Sequence, residues 1–353
     1  MTTHKIALYP GDGIGQEVVD ATVAVLDALQ EKAGGFALET TRFPWGVDYY
    51  DDHGEIVADD YLDQLRGFDA ILLGAVGYPA RLPDHITLSP LVRIRQAYDL
   101  YACLRPAKLY RGVTSPLRAS DSESNPIDML VLRENSEGEY LPLGGRYKVG
   151  RQEEVAVQTA VHSRIGVERI LRFGFDLARE RRKHLTMVTK SNALRYGFVL
   201  WDEVLDVVRG DYPDVTTDKI HADAVAMDFV RRPEYFDVVV GSNLFGDLLT
   251  DLSGVITGGL GLAPSANIDP TREYPSVFEP VHGSAPDIHR QGVANPIACL
   301  LSAVMMLEWL GEKGPGATLQ KAIEATLADG CHTPDLGGSL KTVEVVSSVI
   351  ERL

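Results

Sequence analysis

The stretch "GSNLFGDLLTDLSG" (241–254) sets Asp247 and Asp251 four positions apart in an otherwise apolar run. Read as a helix, it puts both carboxylates on one face, where like charges cost about a few tenths of a kcal/mol. At about 100° per residue, Leu244, Phe245, Leu248, Leu249 and Leu252 form an apolar stripe. The two aspartates fall roughly 110° from its centre, at the border of the buried face, where carboxylates can line a cleft. A hard divalent cation, Mg²⁺ or Mn²⁺, binds carboxylate oxygens and would remove the repulsion. The plain alternative is a pair of solvated surface aspartates. Asp223, in "HADAVAMDFV", is a third candidate ligand, with Asp228 equally eligible from the local sequence.

Arginine is the side chain best suited to bidentate carboxylate binding. "RIRQAYDLYACLRP" places Arg93, Arg95 and Arg105 close in sequence, and Arg133 ends the apolar run "IDMLVLR". Several arginines facing an aspartate–metal site would suit a substrate with two carboxylates; surface ion pairs are the alternative for any one of them. Tyr140 in "RENSEGEY" and Lys190 in "MVTKSN" complete the polar set. Near a metal and several arginines the pKa of each would fall, turning the lysine toward general-base use and making the tyrosine a better proton donor.

"YPGDGIGQEV" follows a strand and opens a helix, which invites a dinucleotide-fingerprint reading. Its spacing is wrong: Gly11, Gly13 and Gly15 are followed by Gln16, and no acidic residue ends a second strand at the required distance. "FEPVHGSAPDIHRQGVANP" (278–296) is the better cofactor candidate. Its loop His282, Gly283, Ser284, Ala285 offers backbone N–H groups to anionic oxygens. Asp287 could accept from both hydroxyls of an adenosine ribose and would repel a 2′-phosphate. Asn295 before Pro296 reads as a helix cap followed by a first-turn proline.

These residues must be positioned by alternating strands and helices. "KIALYP" reads as a strand, and the helix "QEVVDATVAVLDAL" follows it. Further strands are expected at 68–77, 127–135, 185–192 and 236–243, each ending in polar or glycine-rich residues. Arg133, Lys190 and the start of the aspartate helix all lie at such C-terminal ends, where sites in open α/β sheets gather. "GEYLPLGGRYKVGRQEEVAVQTAVHS" reads as a projecting β-arm, an oligomerisation device or a plain surface hairpin. The polar segment 115–126 reads as a surface loop, and "RERRKH" (179–184) as the solvated end of a helix.

The net charge of −16, from 34 Lys and Arg against 50 Asp and Glu, argues against a nucleic-acid partner, which needs basic patches. Cys103, Cys299 and Cys331 are far apart and show no metal spacing. With no signal peptide read before the first strand, a reduced, cytoplasmic setting is expected. The longest apolar run, "IACLLSAVMML", is short of the ~20 residues that span a membrane and should be a buried core helix.

Taken together, "GDGIG", "LGAVG", "LRP", "RENSEGEY", "TKSN", "SNLFGDLLTDL", "EPVHGSAPDI", "ANP" and "TPDLGG" resemble the β-decarboxylating dehydrogenases of the isocitrate and isopropylmalate dehydrogenase family, nearly end to end. The resemblance implies a two-domain α/β fold that is not a Rossmann fold. The large cofactor domain would comprise 1–103 and 256–353; the small domain, 104–255, would carry the arm and the metal-binding helix. It implies a homodimer with shared active sites. It casts Arg95, Arg105 and Arg133 as the substrate clamp and Asp247 and Asp251 as ligands of Mg²⁺ or Mn²⁺. Asp223 and the base Lys190 would come from the second subunit, and Tyr140 would be the acid. Asp287 followed by Ile288 resembles the branch that uses NAD.

The implied reaction oxidises a 2-hydroxy acid with NAD and then releases the carboxylate on the next carbon as CO₂. "FPWGVDYYDDHG", "PDHI" and "GEYLPLGG" look most like the tartrate/D-malate dehydrogenase branch. The substrate-selecting segment "ITLSPLVRIR" departs from it: Ser89 and Pro90 stand where that branch carries Trp-Gly. Leu88, Leu91 and Val92 are apolar, as against an alkyl group in isopropylmalate enzymes. D-malate or tartrate ranks first, 3-isopropylmalate second and isocitrate-type tricarboxylates third. A metal-dependent hydrolase and a catalytically silent ligand-binding protein are the other classes.

Overall fold

The computed structural model describes residues 2–117 and 126–353. Most of the polar segment read as a surface loop, residues 118–125, lies outside the described residues.

Ten strands form one mixed sheet: β1 (Thr2–Gly11), β2 (Phe36–Arg42), β3 (Ala70–Ala75), β4 (Ala102–Lys108), β5 (Asp128–Glu134), β8 (His184–Thr189), β9 (Thr216–His221), β10 (Val238–Gly241), β11 (Pro264–Ile268) and β12 (Ser276–Pro280). Their order is β2-β1-β3-β12-β11-β4-β5-β10-β8-β9. The pairs from β2 to β12 are parallel, as are those from β5 to β9. The joints β12–β11, β11–β4 and β4–β5 are antiparallel. Two parallel blocks of opposite sense therefore meet at β11 and β4. The strands expected from sequence at 68–77, 127–135, 185–192 and 236–243 correspond to β3, β5, β8 and β10.

The remaining two strands, β6 (Gly144–Tyr147) and β7 (Val155–Gln158), make a separate antiparallel hairpin in which every strand residue is exposed. This is the projecting arm read from "GGRY" and "EVAVQ". Among the described residues it pairs with no other strand.

The helix Ile297–Trp309 is buried almost all round, as its continuous apolar run requires. It begins one residue later than expected, with Pro296 in the cap position. Asn295 still serves the helix start, because its Oδ1 accepts from Ile297 N at 3.0 Å. Among the described residues no helix is long and apolar enough to cross a membrane. The helix Arg164–Glu180 ends within "RERRKH" as expected, but the run is not simply solvated: Arg181 Nε reaches the buried Asp237 at 2.8 Å and so pins the approach to β10.

Candidate active site

Arg105 lies midway along β4, and Arg133 near the end of β5 pairs across from Cys103. Because strand side chains alternate between faces, Cys103, Arg105 and Arg133 share one face of the sheet. The aspartate helix, Asn243–Ile256, crosses that face directly after β10. Ser242 caps it by accepting from Phe245 N at 3.5 Å.

The helix presents a different face from the one its leucines suggest. It buries Asn243, Gly246, Leu249, Thr250, Ser253, Gly254 and Ile256. Leu244, Phe245 and Leu252 are only half-buried, and Leu248 is 59% exposed. The reason is close contact with β5: a Cβ at Gly246 would stand 2.6 Å from Arg133 Cβ. Small residues face the sheet so that the helix can lie over the arginine. That rotation turns Asp247 into the cavity beside it.

Asp247 is the centre of the polar cluster. Its Oδ1 accepts from Arg105 Nη1 at 3.1 Å and from Arg133 Nη1, and its Oδ2 from Tyr140 OH at 2.7 Å. Arg105 Nη1 also donates to Thr250 Oγ1 at 2.7 Å. Arg133 donates through Nε and Nη2 to Asn243 Oδ1, at 2.9 and 2.6 Å. Arg95 is buried, and its Nη2 meets Glu279 Oε1 at 2.6 Å, where Asn267 Nδ2 also donates at 2.8 Å. Arg93, its neighbour in sequence, is exposed and outside the cluster.

The electrostatics follow. Burial raises the Asp247 pKa, but the charges of Arg133 and Arg105 and the Tyr140 hydroxyl outweigh it, so the carboxyl sits below its usual value. Burial, and then the charge of Asp247, push Asp251 up. Burial, with Arg105 next to it, brings Arg133 down to about 10. Burial, and then its hydrogen bond to the Asp247 carboxylate, push Tyr140 up to about 12. The arginines pull the other way but are outweighed. Within a single chain the tyrosine is held protonated rather than made more acidic.

These groups line a cavity of about 230 Å³ with Val76, Leu88, Leu91, Arg95, Arg105, Arg133, Tyr140, Asp247, Asp251 and Glu279 on its wall. His282 and Gly283 close it, so the arginine–aspartate cluster and the start of the His282–Ala285 loop share one space. A larger groove, about 1100 Å³, opens behind the glycine turn, but Arg42 and Arg81 in it are already paired with Asp20, Asp48 and Asp51.

Lys190 and Asp223 lie outside the cavity, paired with each other at 2.8 Å. Lys190 follows β8, and Asp223 opens the helix Ala222–Arg231 after β9. The lysine's hydrogen bond depresses the Asp223 pKa. The structure thus brings together the arginines, Tyr140, Asp247 and Asp251, and separates them from Lys190 and Asp223.

The cofactor loop packs on the glycine turn: Ile14 N donates to Ser284 O at 2.8 Å. A Cβ at Gly13 would stand 2.0 Å from that same oxygen. This glycine therefore serves loop packing. Among the described residues, no backbone carbonyl accepts from the N–H of Gly283, Ser284 or Ala285. His282 Nδ1 bonds Gly283 O at 2.9 Å, while its buried Nε2 has no partner. Burial holds this imidazole below its usual pKa, hence neutral. Ile288 is half-buried, and the exposed Asp287 follows on the solvent side. Asn295 is buried, and its Nδ2 donates to Asp335 Oδ2 at 3.0 Å. Open N–H groups and an unpartnered imidazole nitrogen fit a phosphate- and amide-bearing cofactor.

A divalent cation also fits Asp247 and Asp251. They offer oxygen donors, and the burial and the Asp247 charge that together raise Asp251 are both penalties on its anion that a cation would relieve. Among the described residues, no group of three His, Cys, Asp or Glu side chains could hold a metal ion. Sequence reasoning missed Glu279 and Asn243, which hold Arg95 and Arg133, and Asn267, which donates to Glu279. Glu279 alone left a signal, an acidic residue inside the apolar "SVFEPV".

The family model described as isocitrate/isopropylmalate dehydrogenase matches residues 5–351. The chain is 48% identical over 354 residues to a probable tartrate dehydrogenase/decarboxylase of Bacillus subtilis (strain 168), covering 100% of this chain and 99% of that protein. It is 47% identical over 357 residues to a D-malate dehydrogenase [decarboxylating] of Escherichia coli (strain K12), covering 99% and 98%. Among solved structures, isocitrate dehydrogenase from Methylococcus capsulatus superposes with a TM-score of 0.88 at 36% identity, covering 99% of both chains.

Proposed function

Since the chain belongs to the isocitrate/isopropylmalate dehydrogenase family, we propose that it oxidatively decarboxylates a 2-hydroxy dicarboxylic acid, D-malate or tartrate first, with NAD and Mg²⁺ or Mn²⁺. The observation that carries this reading is the single cavity shared by three arginines, two aspartates, a tyrosine and the opening of the cofactor loop.

Charge balance supports a dicarboxylate bound with a dication. In the cavity the guanidinium groups of Arg95, Arg105 and Arg133 face the carboxylates of Asp247, Asp251 and Glu279. The site is neutral before substrate arrives, and burying an uncompensated dianion there would be costly. A dianion entering with a dication leaves the balance unchanged.

Arg95, Arg105 and Arg133 bind and orient the two carboxylates. Asp247 and Asp251 would hold the cation against the substrate. When bound, the cation stabilises negative charge on the substrate oxygen and the nicotinamide accepts the hydride. Lys190 removes the proton from the C2 hydroxyl. Tyr140, held protonated in the cavity, delivers its proton to C3 once the neighbouring carboxylate has left. The His282–Ala285 loop receives the cofactor's anionic oxygens. Asp287, beside Ile288, disfavours a 2′-phosphate, and Asn295 orients the adenosine end.

Lys190 and Asp223 must reach the cavity of another molecule. The proposed assembly is therefore a homodimer with shared sites, joined by the β6–β7 arm. Leu248 on the aspartate helix and Tyr147, Val155 and Val157 on the arm are exposed apolar residues suited to that contact. Domains 1–103 with 256–353, and 104–255, would then close on the site. A cytoplasmic setting is proposed with it, from three free cysteines.

One observation favours 3-isopropylmalate as a second reading. Val76, Leu88 and Leu91 make an apolar wall, and Ser89 Oγ donates away to Ile86 O at 2.8 Å. The test is a panel of D-malate, L- and meso-tartrate, 3-isopropylmalate and isocitrate, assayed with NAD and Mn²⁺. The largest kcat/KM should fall on D-malate or a tartrate. A larger value for 3-isopropylmalate would install the second reading, and no NADH with any member would remove the dehydrogenase.

A further inference from the structure

The residues on either side of Lys190 are tied to one carboxylate. Asp202 lies on the helix Gly197–Val208. Its Oδ1 accepts from Thr189 Oγ1 at 2.7 Å, and its Oδ2 from Ser191 Oγ at 2.8 Å. Thr189 Oγ1 accepts in turn from Ser191 N at 3.3 Å. Behind the lysine, its own carbonyl accepts from Ala193 N at 3.0 Å and Leu194 N at 2.9 Å. The backbone around Lys190 is therefore held on both sides, and only its side chain is left to reach outward.

The same carboxylate also holds the strand that leads to Asp223. Lys219 Nζ, on β9, donates to Asp202 Oδ2 at 2.9 Å. The helix carrying Asp223 starts at Ala222, immediately after β9. Two lysines and two aspartates are thus sorted into two pairs, Lys219 with Asp202 and Lys190 with Asp223. Asp202 is 16% exposed but Lys219 is 40% exposed, so that ion pair is screened by solvent and the two hydroxyl bonds are the firmer ties. Burial raises the Asp202 pKa, but the donors Thr189, Lys219 and Ser191 outweigh that and hold it below the usual value. It stays ionised through the neutral range and adds no pH limb of its own.

We propose that Asp202 is a positioning residue that fixes the turn carrying Lys190 and so aims the lysine at the substrate cavity it serves. The proposal rests on the reading of Lys190 as the base for hydroxyl oxidation. It goes beyond that reading by naming the group that aims the lysine without touching substrate. A base misplaced by about 1 Å can cost 10²-fold in rate, so loss of the tie should appear in the oxidation step alone.

The test compares Asp202→Ala, Asp202→Asn and Lys190→Met in the full-length protein. For each, kcat and KM for hydroxy-acid oxidation are measured, and the metal-dependent decarboxylation of supplied oxaloacetate is followed separately. Asp202→Ala should lower the oxidation kcat by about 10- to 10²-fold, with KM for the hydroxy acid and the oxaloacetate step little changed. Asp202→Asn keeps an acceptor for one of the two hydroxyls and should recover part of the loss. Should Asp202→Ala fail to fold, Thr189→Val and Ser191→Ala each remove one tie and should show the same split. Full oxidation kcat in the alanine variant, or equal losses in both steps, overturns the proposal. Full oxidation kcat in Lys190→Met is a different result, since it removes the base assignment itself.

Discussion

Replacing Gly246 with Ala should damage activity far more than stability. The new Cβ would stand 2.6 Å from Arg133 Cβ, 2.8 Å from its Cγ and 3.1 Å from its Cα. Two of these approaches are closer than folded proteins tolerate, and the obstacle includes the backbone of β5. Arg133 cannot swing aside, because its guanidinium is fixed by Asn243 and Asp247. Overpacking of this kind costs about 1–3 kcal/mol, while Ala in place of Gly inside a helix returns up to about 1 kcal/mol. The net loss should be roughly 1–2 kcal/mol, within reach of a stable fold. The relief must come from parting the aspartate helix and β5, which carries Asp247 away from Arg133 and Arg105. Displacing groups of a site by about 1 Å can cost 10²-fold. Gly254→Ala on the same helix is the control, since its Cβ would press chiefly on the flexible end of Leu260. Urea unfolding and kcat/KM should be measured for both variants. A Gly246→Ala enzyme with undiminished kcat/KM would refute the argument that this contact sets the site.

Tyr140→Phe removes one hydroxyl from Asp247 and leaves the ring over Arg133, 5.0 Å from the guanidinium carbon. Turnover should fall by about 10²- to 10⁴-fold, and oxaloacetate handled at the full wild-type rate would show that the acid lies elsewhere. Asp287→Lys with Ile288→Tyr should shift the ratio of kcat/KM values toward NADP; an unchanged ratio would mean that the loop does not receive the adenosine end. Tyr61, Tyr98 and Tyr110 are each pushed up to about 12, chiefly by burial, from an ordinary value of 10.0. Their folded pKa values lie above the unfolded one, so they leave stability untouched below pH 10.0 and lower it from there toward 12, as the unfolded chain ionises first. The urea midpoint should accordingly be flat up to about pH 10 and fall above it; a flat profile through pH 12 would contradict their burial.

What could be read from the sequence was local. The apolar bodies of β3, β5, β8 and β10, the polar residues ending them, and the exposed hairpin are written in short periodic segments. Lys190 after β8 and the aspartate helix after β10 stand where those segments placed them. What escaped was set by partners distant in the chain. Nothing near Arg95 distinguishes it from Arg93; its burial depends on Glu279, 184 residues away. The leucine stripe of the aspartate helix was misread because a helical wheel scores size and polarity. Contact with β5 instead demanded a glycine at Gly246, and Ser253 and Gly254 are buried in place of the leucines. The antiparallel joints around β11 and β4 were likewise hidden, since a short strand carries no mark of its direction. Equally hidden were the burial that first raises Tyr140 and, after it, the hydrogen bond to the Asp247 carboxylate, a contact between residues 107 positions apart.

The central claim is that one cavity oxidises a 2-hydroxy dicarboxylate and then removes a carboxylate from the same molecule. The most direct measurement supplies D-malate or tartrate with NAD and Mn²⁺ and follows NADH and CO₂ together, with and without a chelator. The account predicts one CO₂ for each NADH from D-malate, with both products lost when the chelator is added. CO₂ without NADH, or NADH formation indifferent to the chelator, would contradict it.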